Sequence, residues 1–556
     1  MPTDVVIAAL NSKYIHSSLA PWCLLAGLRE EQPTVAAAVE EGTINEPIAA
    51  VAERIAAHRP KIIGFCCYIW NIKQTYQLMA QLKNRLDRCF MVLGGPEVSY
   101  RADEVLSQNR DVDFVLSGEG EHPFAELCAA LLKDAPFEQV PGLSYRTETG
   151  VALGTPYIAK GQPPSPYTPA YFKALHGRIA YLETTRGCPF SCAFCLSGRC
   201  GSVRFFDVER AKRDMLALAQ SGAQTIKLVD RTFNADERRA RELVTFITAH
   251  YGREIPRGVC FHFEIAGDLL SDRMIETFAR VPAGAVQLEI GMQSFNEKTL
   301  SSVSRRTDTA RLRRNIARLL ESQNIHVHID LIAGLPYEDI ESFARSFDIA
   351  YDLGAHMLQL GFLKLIPGCA MREQREKYPC VYDPEPPYEV QSTPWMSEAD
   401  FARLKRIEDA LDRLYNSGRF PKTLALLRTR YTPFCLFDMI KIDGSGQSLD
   451  AYCGALFERL SAFSDRAALR EAMVQDRLAC NPTGQLPDCL KIAEPNMKRY
   501  KRLLHLRFPV SAGVKRGMAV LYRTEQIVWA DYDAPDPVSD RFKLHYISVQ
   551  ALCEEG

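Results

Sequence analysis

Three cysteines in one short segment are the residues of this chain best placed to do chemistry. Arg186-Gly-Cys188-Pro-Phe-Ser-Cys192-Ala-Phe-Cys195 spaces them C-x3-C-x2-C, directly after an apolar run at 179–185. Thiolates so spaced in one loop can each hold one iron of a cubane cluster. The fourth iron is then left open, and an open coordination position separates a reactive metal site from a structural one. A structural zinc needs four ligands, yet Cys200 stands five residues beyond Cys195 and no histidine lies near. Most of the other cysteines among the seventeen, such as Cys23, Cys89, Cys128 and Cys553, sit singly in apolar segments, as reduced core cysteines do. Their irregular placement does not fit a secreted disulfide framework.

Polar residues recur at the ends of later apolar runs. Phe261-His-Phe-Glu264 closes one and Glu289-Ile-Gly-Met-Gln293-Ser294 the next, Arg305 follows at a helix entry, and His328-Ile-Asp330-Leu-Ile-Ala-Gly334-Leu-Pro336 comes last. With Phe194 just before the last cysteine, these segments in this order resemble the radical S-adenosylmethionine (SAM) superfamily over residues 178–370. The resemblance implies a [4Fe-4S] cluster on Cys188, Cys192 and Cys195, and reductive cleavage of SAM to a 5′-deoxyadenosyl radical. It places Phe194 in the cofactor-binding set. By analogy with the branch that includes coproporphyrinogen dehydrogenase, Glu264 and Gln293 would touch polar groups of SAM, Arg305 its carboxylate and Asp330 its ribose. The residue chemistry agrees, since an arginine fork pairs with a carboxylate and an aspartate accepts from hydroxyls.

Parallel strands and helices must position these groups. Ahead of a proline-rich stretch at 161–169, apolar runs at 5–10, 35–39, 61–67, 90–93 and 114–116 alternate with helix-period segments. Continuous apolar strands alternating with helices predict a parallel sheet covered on both faces, here a Rossmann-like doubly wound domain. Before a second proline-rich stretch at 383–394, strand candidates fall at 179–185, 225–229, 261–265, 285–290, 327–332 and 357–363. Six β/α units are too few for the eight-unit barrel and predict an incomplete (β/α)6 barrel, with its chemistry at the C-terminal strand ends. From residue 395, an amphipathic helix near 397–414 and a strand pair near 519–522 and 526–530 predict a mixed, mainly α domain without a readable motif. The expected boundaries are 1–140 for the first domain, 141–177 for a linker, 178–377 for the partial barrel and 378–556 for the C-terminal domain of unknown role.

The first domain is similar to the cobalamin-binding domain found ahead of many radical SAM modules. Leu93-Gly94-Gly95-Pro96-Glu-Val98 and Ser117-Gly118-Glu119-Gly-Glu121 carry that likeness. Both follow parallel strands, where doubly wound sheets bind ligands, and glycine lets backbone approach a large ligand closely. The resemblance implies cobalamin contacts at Gly94, Gly95, Pro96, Gly118 and Glu119. The Asp-x-His-x-x-Gly loop that ligates cobalt in many cobalamin proteins is replaced by Asn11-Ser-Lys-Tyr-Ile-His16-Ser-Ser18. His16 is therefore expected to be a loop or packing residue, with no protein histidine beneath the metal.

Composition bounds the rest. The 556 residues are 47% hydrophobic and 24% charged, with 67 basic against 68 acidic side chains and no lysine or arginine run that stands out. Nucleic acid is disfavoured as a partner. No signal peptide or membrane-spanning run is visible, so the expected setting is the cytoplasm. The leading function is methylation of an unactivated carbon by a radical SAM enzyme using cobalamin. Two alternatives are cobalamin-assisted radical cyclisation or oxidation without methyl transfer, and a non-catalytic cobalamin or redox sensor. A transfer-RNA methylthiolase would need three further N-terminal cysteines for a second cluster, and the first domain offers no recognisable set. The expected partners are a small-molecule or peptide substrate and an electron donor such as flavodoxin or ferredoxin. The substrate and its contact residues are not legible.

Overall fold

In the computed structural model, which describes residues 3–200, 202–442 and 446–554, the first strand, β1 (Val5–Asn11), is buried at every position. That is what a strand covered by helices on both faces requires. It is followed by α1 (Ala20–Glu31), β2 (Ala37–Thr43), α2 (Ile48–Ala57), β3 (Ile62–Cys66), α3 (Ile72–Lys83), β4 (Phe90–Gly94), α4 (Ala102–Gln108), β5 (Phe114–Leu116) and α5 (Glu121–Leu132). The strand order β2-β1-β3-β4-β5 is that of a Rossmann-like doubly wound sheet, and every pair in it is parallel. Val6, Ile63, Leu78 and Met91 belong to the core beneath one face.

Two features differ from the sequence expectation. The second strand begins later than 35–39 and carries Glu40 and Glu41. Glu41 tolerates a strand because Asn11, the Trp22 indole and Arg178 all donate to its carboxylate, at 2.8–2.9 Å. The stretch 141–177 also extends the sheet: β6 (Leu143–Thr147) and β7 (Gly150–Ala152) add to β5 as antiparallel strands. A short helix, α6 (Pro169–Leu175), then follows the prolines.

The chain forms two compact units. Met1–Leu288, Leu300–Thr307 and Phe362–Pro394 make the first, and Glu289–Thr299, Asp308–Gly361 and Trp395–Gly556 the second. Next come β8 (Ala180–Leu182), β9 (Thr185–Arg186), β10 (Arg204–Phe205), α7 (Val208–Gln220), β11 (Thr225–Leu228), α8 (Glu237–His250), β12 (Cys260–Ile265) and α9 (Asp272–Ala279). Then β13 (Val286–Gln293), α10 (Glu297–Ser302), α11 (Thr309–Glu321), β14 (His326–Ala333), α12 (Ile340–Asp352) and β15 (Met357–Phe362) complete the β/α run. In the first unit β8-β11-β12 pair in parallel and lead to the start of β13. In the second, the remainder of β13 neighbours β14, and β14 neighbours β15. The order has two ends, so no closed barrel forms among the described residues. Asp207, Asp236, Asp308 and Asp339 cap α7, α8, α11 and α12 by accepting a backbone N–H. Each such cap contributes about 1 kcal/mol and fixes where its helix starts.

The strand expected at 179–185 is broken, and a buried carboxylate is the cause. The Thr184 N–H and hydroxyl and the Thr185 N–H all donate to Asp230, at 2.7, 2.5 and 3.0 Å. This turns the chain out of β8 and into β9, one residue before the cysteine loop.

In the second unit, the helix expected at 397–414 runs over Glu398–Leu411, opened by a Ser397/Asp400 capping box, and passes into a π-turn at Asp412–Asn416. The expected strand pair forms as Arg516–Leu521 with Gln526–Asp531, and a third antiparallel strand, Leu544–Ser548, joins it. Helix Met497–Arg507 buries Tyr500, Leu503 and Leu504 and turns Lys498, Arg499, Lys501 and Arg502 outward. The sequence thus does hold one local basic cluster, Lys498-Arg-Tyr-Lys-Arg502, against the expectation that no lysine or arginine run stands out. No helix among the described residues is long and apolar enough to cross a membrane.

Candidate cluster and cobalamin site

The cysteine loop is pinned on both sides before any metal is considered. Gly187 (φ 102°) turns the chain after β9, and a Cβ there would come within 2.9 Å of the Ser202 carbonyl oxygen. The Ala193 N–H donates to Val303, and its carbonyl accepts from Met371, at 2.9 and 3.0 Å. Cys192 is 7% exposed, and Cys188, Phe194 and Cys195 are half-buried. Burial pushes the Cys192 thiol pKa up, Arg305 pulls it down, and the Cys195 and Cys188 thiols add to the rise. The Ser197 N–H donates to Cys195 Sγ at 3.4 Å, and Arg305 Nη1 to Cys192 Sγ at 3.6 Å. Thr232 Oγ1 lies 3.5 Å from Cys188 Sγ.

The chemistry of this donor set fits a cubane: three thiols on one short loop, with N–H donors on two of them to stabilise thiolate charge. Among the described residues no three His, Cys, Asp or Glu side chains could hold one metal ion. Cubane ligands each take a separate iron and have no need to converge on one.

The expected SAM contacts fall in both units. In the first, Arg305 stands beside Cys192, and Glu264, near the end of β12, sits 3.8 Å from Lys227 and 3.7 Å from Arg231. In the second, Gln293 ends β13 in the left-handed region at φ 72°. Asp330 on β14 meets His328 Nε2 at 2.9 Å. Beside Gln293, Ser294 and Ser346 donate to Glu338 Oε1 at 2.6 and 3.0 Å. Glu338 is fully buried, and burial pushes its carboxyl up to about 7 against those two hydrogen bonds.

The first unit also holds a cavity of about 750 Å³. Gly94, Gly95, Pro96, Gly118 and Glu119 line one wall, at the C-terminal ends of β4 and β5. Glu183, Arg186, Lys227 and Glu264 line the other. Gly95 (φ 110°) and Gly118 (φ 93°) must be glycine, since a Cβ would fall 2.5 Å from the Cys67 oxygen and 2.2 Å from the Tyr157 oxygen. Gly94 is different: a Cβ there meets nothing closer than Leu116 O at 3.6 Å. Protein packing would tolerate a side chain at Gly94, which lines the cavity, so its bareness serves whatever enters. A glycine-edged wall at parallel strand ends fits cobalamin.

His16 lines the same cavity, with Nδ1 2.8 Å from the Tyr181 hydroxyl. Burial, then Lys13 and Lys227, lower its pKa. Sequence reasoning missed Arg186, whose guanidinium gathers Glu119, Glu121 and Glu183. Its signal was present as the residue two before Cys188, but it read only as a flank.

Comparison with known proteins agrees with this geometry. Residues 5–128 match the B12 binding domain, 182–350 the Radical SAM superfamily, and 376–510 a protein of unknown function (DUF4080). The 2-(S-pantetheinyl)-carbapenam-3-carboxylate methyltransferase of Streptantibioticus cattleyicolor is 28% identical over 60% of this chain and 52% of that protein. The cobalamin-dependent radical SAM methyltransferase TokK of Streptomyces tokunonensis is 28% identical over 62% of this chain and 54% of its own. The chain thus spans about half the length of these curated relatives. The structure of the cobalamin-dependent SAM radical enzyme OxsB, with aqua-cobalamin and SAM bound, shares the fold: TM-score 0.61 at 13% identity, over 86% of this chain and 79% of that one. Residues 5–128 and 182–350 thus carry a B12 binding domain followed by a radical SAM domain, and the chain is similar to cobalamin-dependent radical SAM enzymes.

Proposed function

We propose that this protein is a cobalamin-dependent radical SAM methyltransferase acting on an unactivated carbon. One observation carries the reading: a single cavity runs from the glycine-edged strand ends of the B12 binding domain to Glu183, Arg186 and Glu264 of the radical SAM domain. Radical formation and methyl delivery must reach the same substrate carbon, and one shared space lets both do so without release. When bound, the cluster supplies the electron that opens SAM to a hydrogen-abstracting radical, and cobalamin supplies a methyl carrier. The chain's own residues hold and orient. Cys188, Cys192 and Cys195 ligate iron, and Arg305 and the Ser197 N–H donate to two of the sulfurs. Glu264, flanked by Lys227 and Arg231, faces the cavity as a polar contact for SAM. Gln293, ending β13, and Asp330, on β14, both in the second unit, are proposed as SAM contacts on the family resemblance alone. Gly94, Gly95, Pro96, Gly118 and Glu119 cradle the corrin side.

The proposal includes a small-molecule or peptide substrate, a one-electron donor of the flavodoxin or ferredoxin type, and a cytoplasmic setting. Its test is product accounting with methyl-deuterated SAM, a reductant and candidate substrates. Methylation predicts one 5′-deoxyadenosine and one S-adenosylhomocysteine per product, with deuterium in the product. Deoxyadenosine alone with unlabelled product would replace methylation by radical cyclisation or oxidation.

A further inference from the structure

One guanidinium joins the loop that carries the cluster cysteines to the loop that edges the cobalamin wall. Arg186 stands two residues before Cys188. Its Nε and Nη2 donate to the two oxygens of Glu183 at 2.8 and 2.7 Å, a bidentate clamp. Nη1 donates to Glu119 at 2.7 Å, and Nη2 to Glu121 at 2.8 Å, with a longer 3.4 Å contact from Nη1 to Glu121. The five N–H groups of the fork thus meet five carboxylate contacts. Glu119 also accepts from Arg204 Nη2 at 2.6 Å, and Arg204 is the β-ladder partner of Arg186. Glu119 and Glu121 flank Gly120, just after the left-handed Gly118, and Glu121 opens α5. All five charged side chains are less than one-fifth exposed.

Burying five charges is a poor route to stability, because desolvation offsets most of the attraction. What such a network supplies is geometry: two planar, bidentate-capable groups hold three carboxylates in fixed directions. Three glutamates gathered without the arginine would repel one another and push the two loops apart. Burial raises the Glu121 pKa, yet Arg186 overcomes it and holds that carboxyl below its ordinary value.

We propose that Arg186 is a positioning residue for the reaction proposed above, holding the Gly118–Glu121 loop and the Cys188–Cys195 loop in one register so that the two cofactors keep a fixed separation. The inference rests on that reading for the identity of the cofactors. Its test does not need the substrate.

The test uses full-length protein, reconstituted anaerobically with iron and sulfide and titrated with hydroxocobalamin. Arg186→Gln should keep about four irons, since the ligands are untouched, while cobalamin affinity falls at least tenfold. In cobalamin-saturated protein, the spacing of Co(II) and reduced cluster, read from paramagnetic relaxation enhancement, should change from one distance to a broad distribution. Arg186→Lys restores the charge without the fork and should recover affinity more than spacing. Glu119→Gln, a milder change, serves if Arg186→Gln does not fold, and should shift both readouts in the same direction. Folded variants with wild-type cobalamin affinity and an unchanged single spacing would overturn the proposal. If wild-type protein makes no S-adenosylhomocysteine with any substrate, the methyltransferase reading fails, while the spacing result still decides the role of Arg186.

Discussion

Cys188, Cys192 and Cys195 are the proposed iron ligands and Arg305 and Asp330 the proposed SAM contacts, so variants at the two sets should separate cluster assembly from SAM binding. Alanine at all three cysteines should abolish iron incorporation and SAM cleavage. The loop itself should persist, because Ala193 is held by backbone bonds to Val303 and Met371 rather than by the metal. Arg305→Ala and Asp330→Ala should leave iron content intact and weaken SAM binding by roughly 1–3 kcal/mol each, the range for a lost charge-assisted bond. Arg305 also donates to Cys192 Sγ, so its loss should in addition shift the cluster's reduction potential downward, which Asp330→Ala should not. Iron analysis, equilibrium SAM binding and potentiometry check the three expectations. Wild-type SAM affinity in both variants would mean that these roles were wrongly assigned.

At the scale of elements, Glu338 locks the end of β13 to α12. Its carboxyl takes hydroxyl bonds from Ser294, just past β13, and from Ser346 on α12, with Asp339 raising its pKa and Arg345 lowering it. A pKa raised to about 7 means the folded state favours the protonated acid. The stability it lends is therefore full below the unfolded carboxylate pKa and is lost as pH rises through about 7. The effect is on the order of 3 kcal/mol. Thermal unfolding should show wild type losing stability between pH 5 and 8, with Glu338→Gln flattening that slope; parallel curves would reject this account. Nothing in the linear sequence marks Glu338 as buried, since Pro336-Tyr-Glu-Asp339 reads as a turn before a helix. The parallel strands were legible because burial on both faces leaves continuous apolar runs such as Val5–Asn11. β2 was misplaced because its glutamates are neutralised by partners distant in sequence, and β8 was drawn too long because the break comes from Asp230, 46 residues away. The cysteine triad and the glycine pairs were legible because each is local. The Arg186 network was not, because its partners Glu119 and Glu121 lie 67 and 65 residues upstream.

Across the whole molecule, the two proposed cofactor sites are built by different means. The cobalamin wall is made of backbone: glycines at the ends of a sheet whose strands and core are complete in themselves. The candidate cluster site is made of three cysteine thiols, which must lose their protons to bind metal. Cofactor loading should therefore dissociate. Protein with alanine at Cys188, Cys192 and Cys195 should bind hydroxocobalamin within a few-fold of wild type, since the sheet and the Arg186 network need no iron. Protein loaded with iron but not cobalamin should still cleave SAM to 5′-deoxyadenosine under reductant, while forming no S-adenosylhomocysteine. Absorbance titration and chromatography of the two nucleosides measure both arms. Loss of cobalamin binding in the cysteine variant would mean that the cluster itself organises the glycine-edged wall. S-adenosylhomocysteine formed without cobalamin would place methyl transfer outside the shared cavity and remove the observation on which the methyltransferase reading stands.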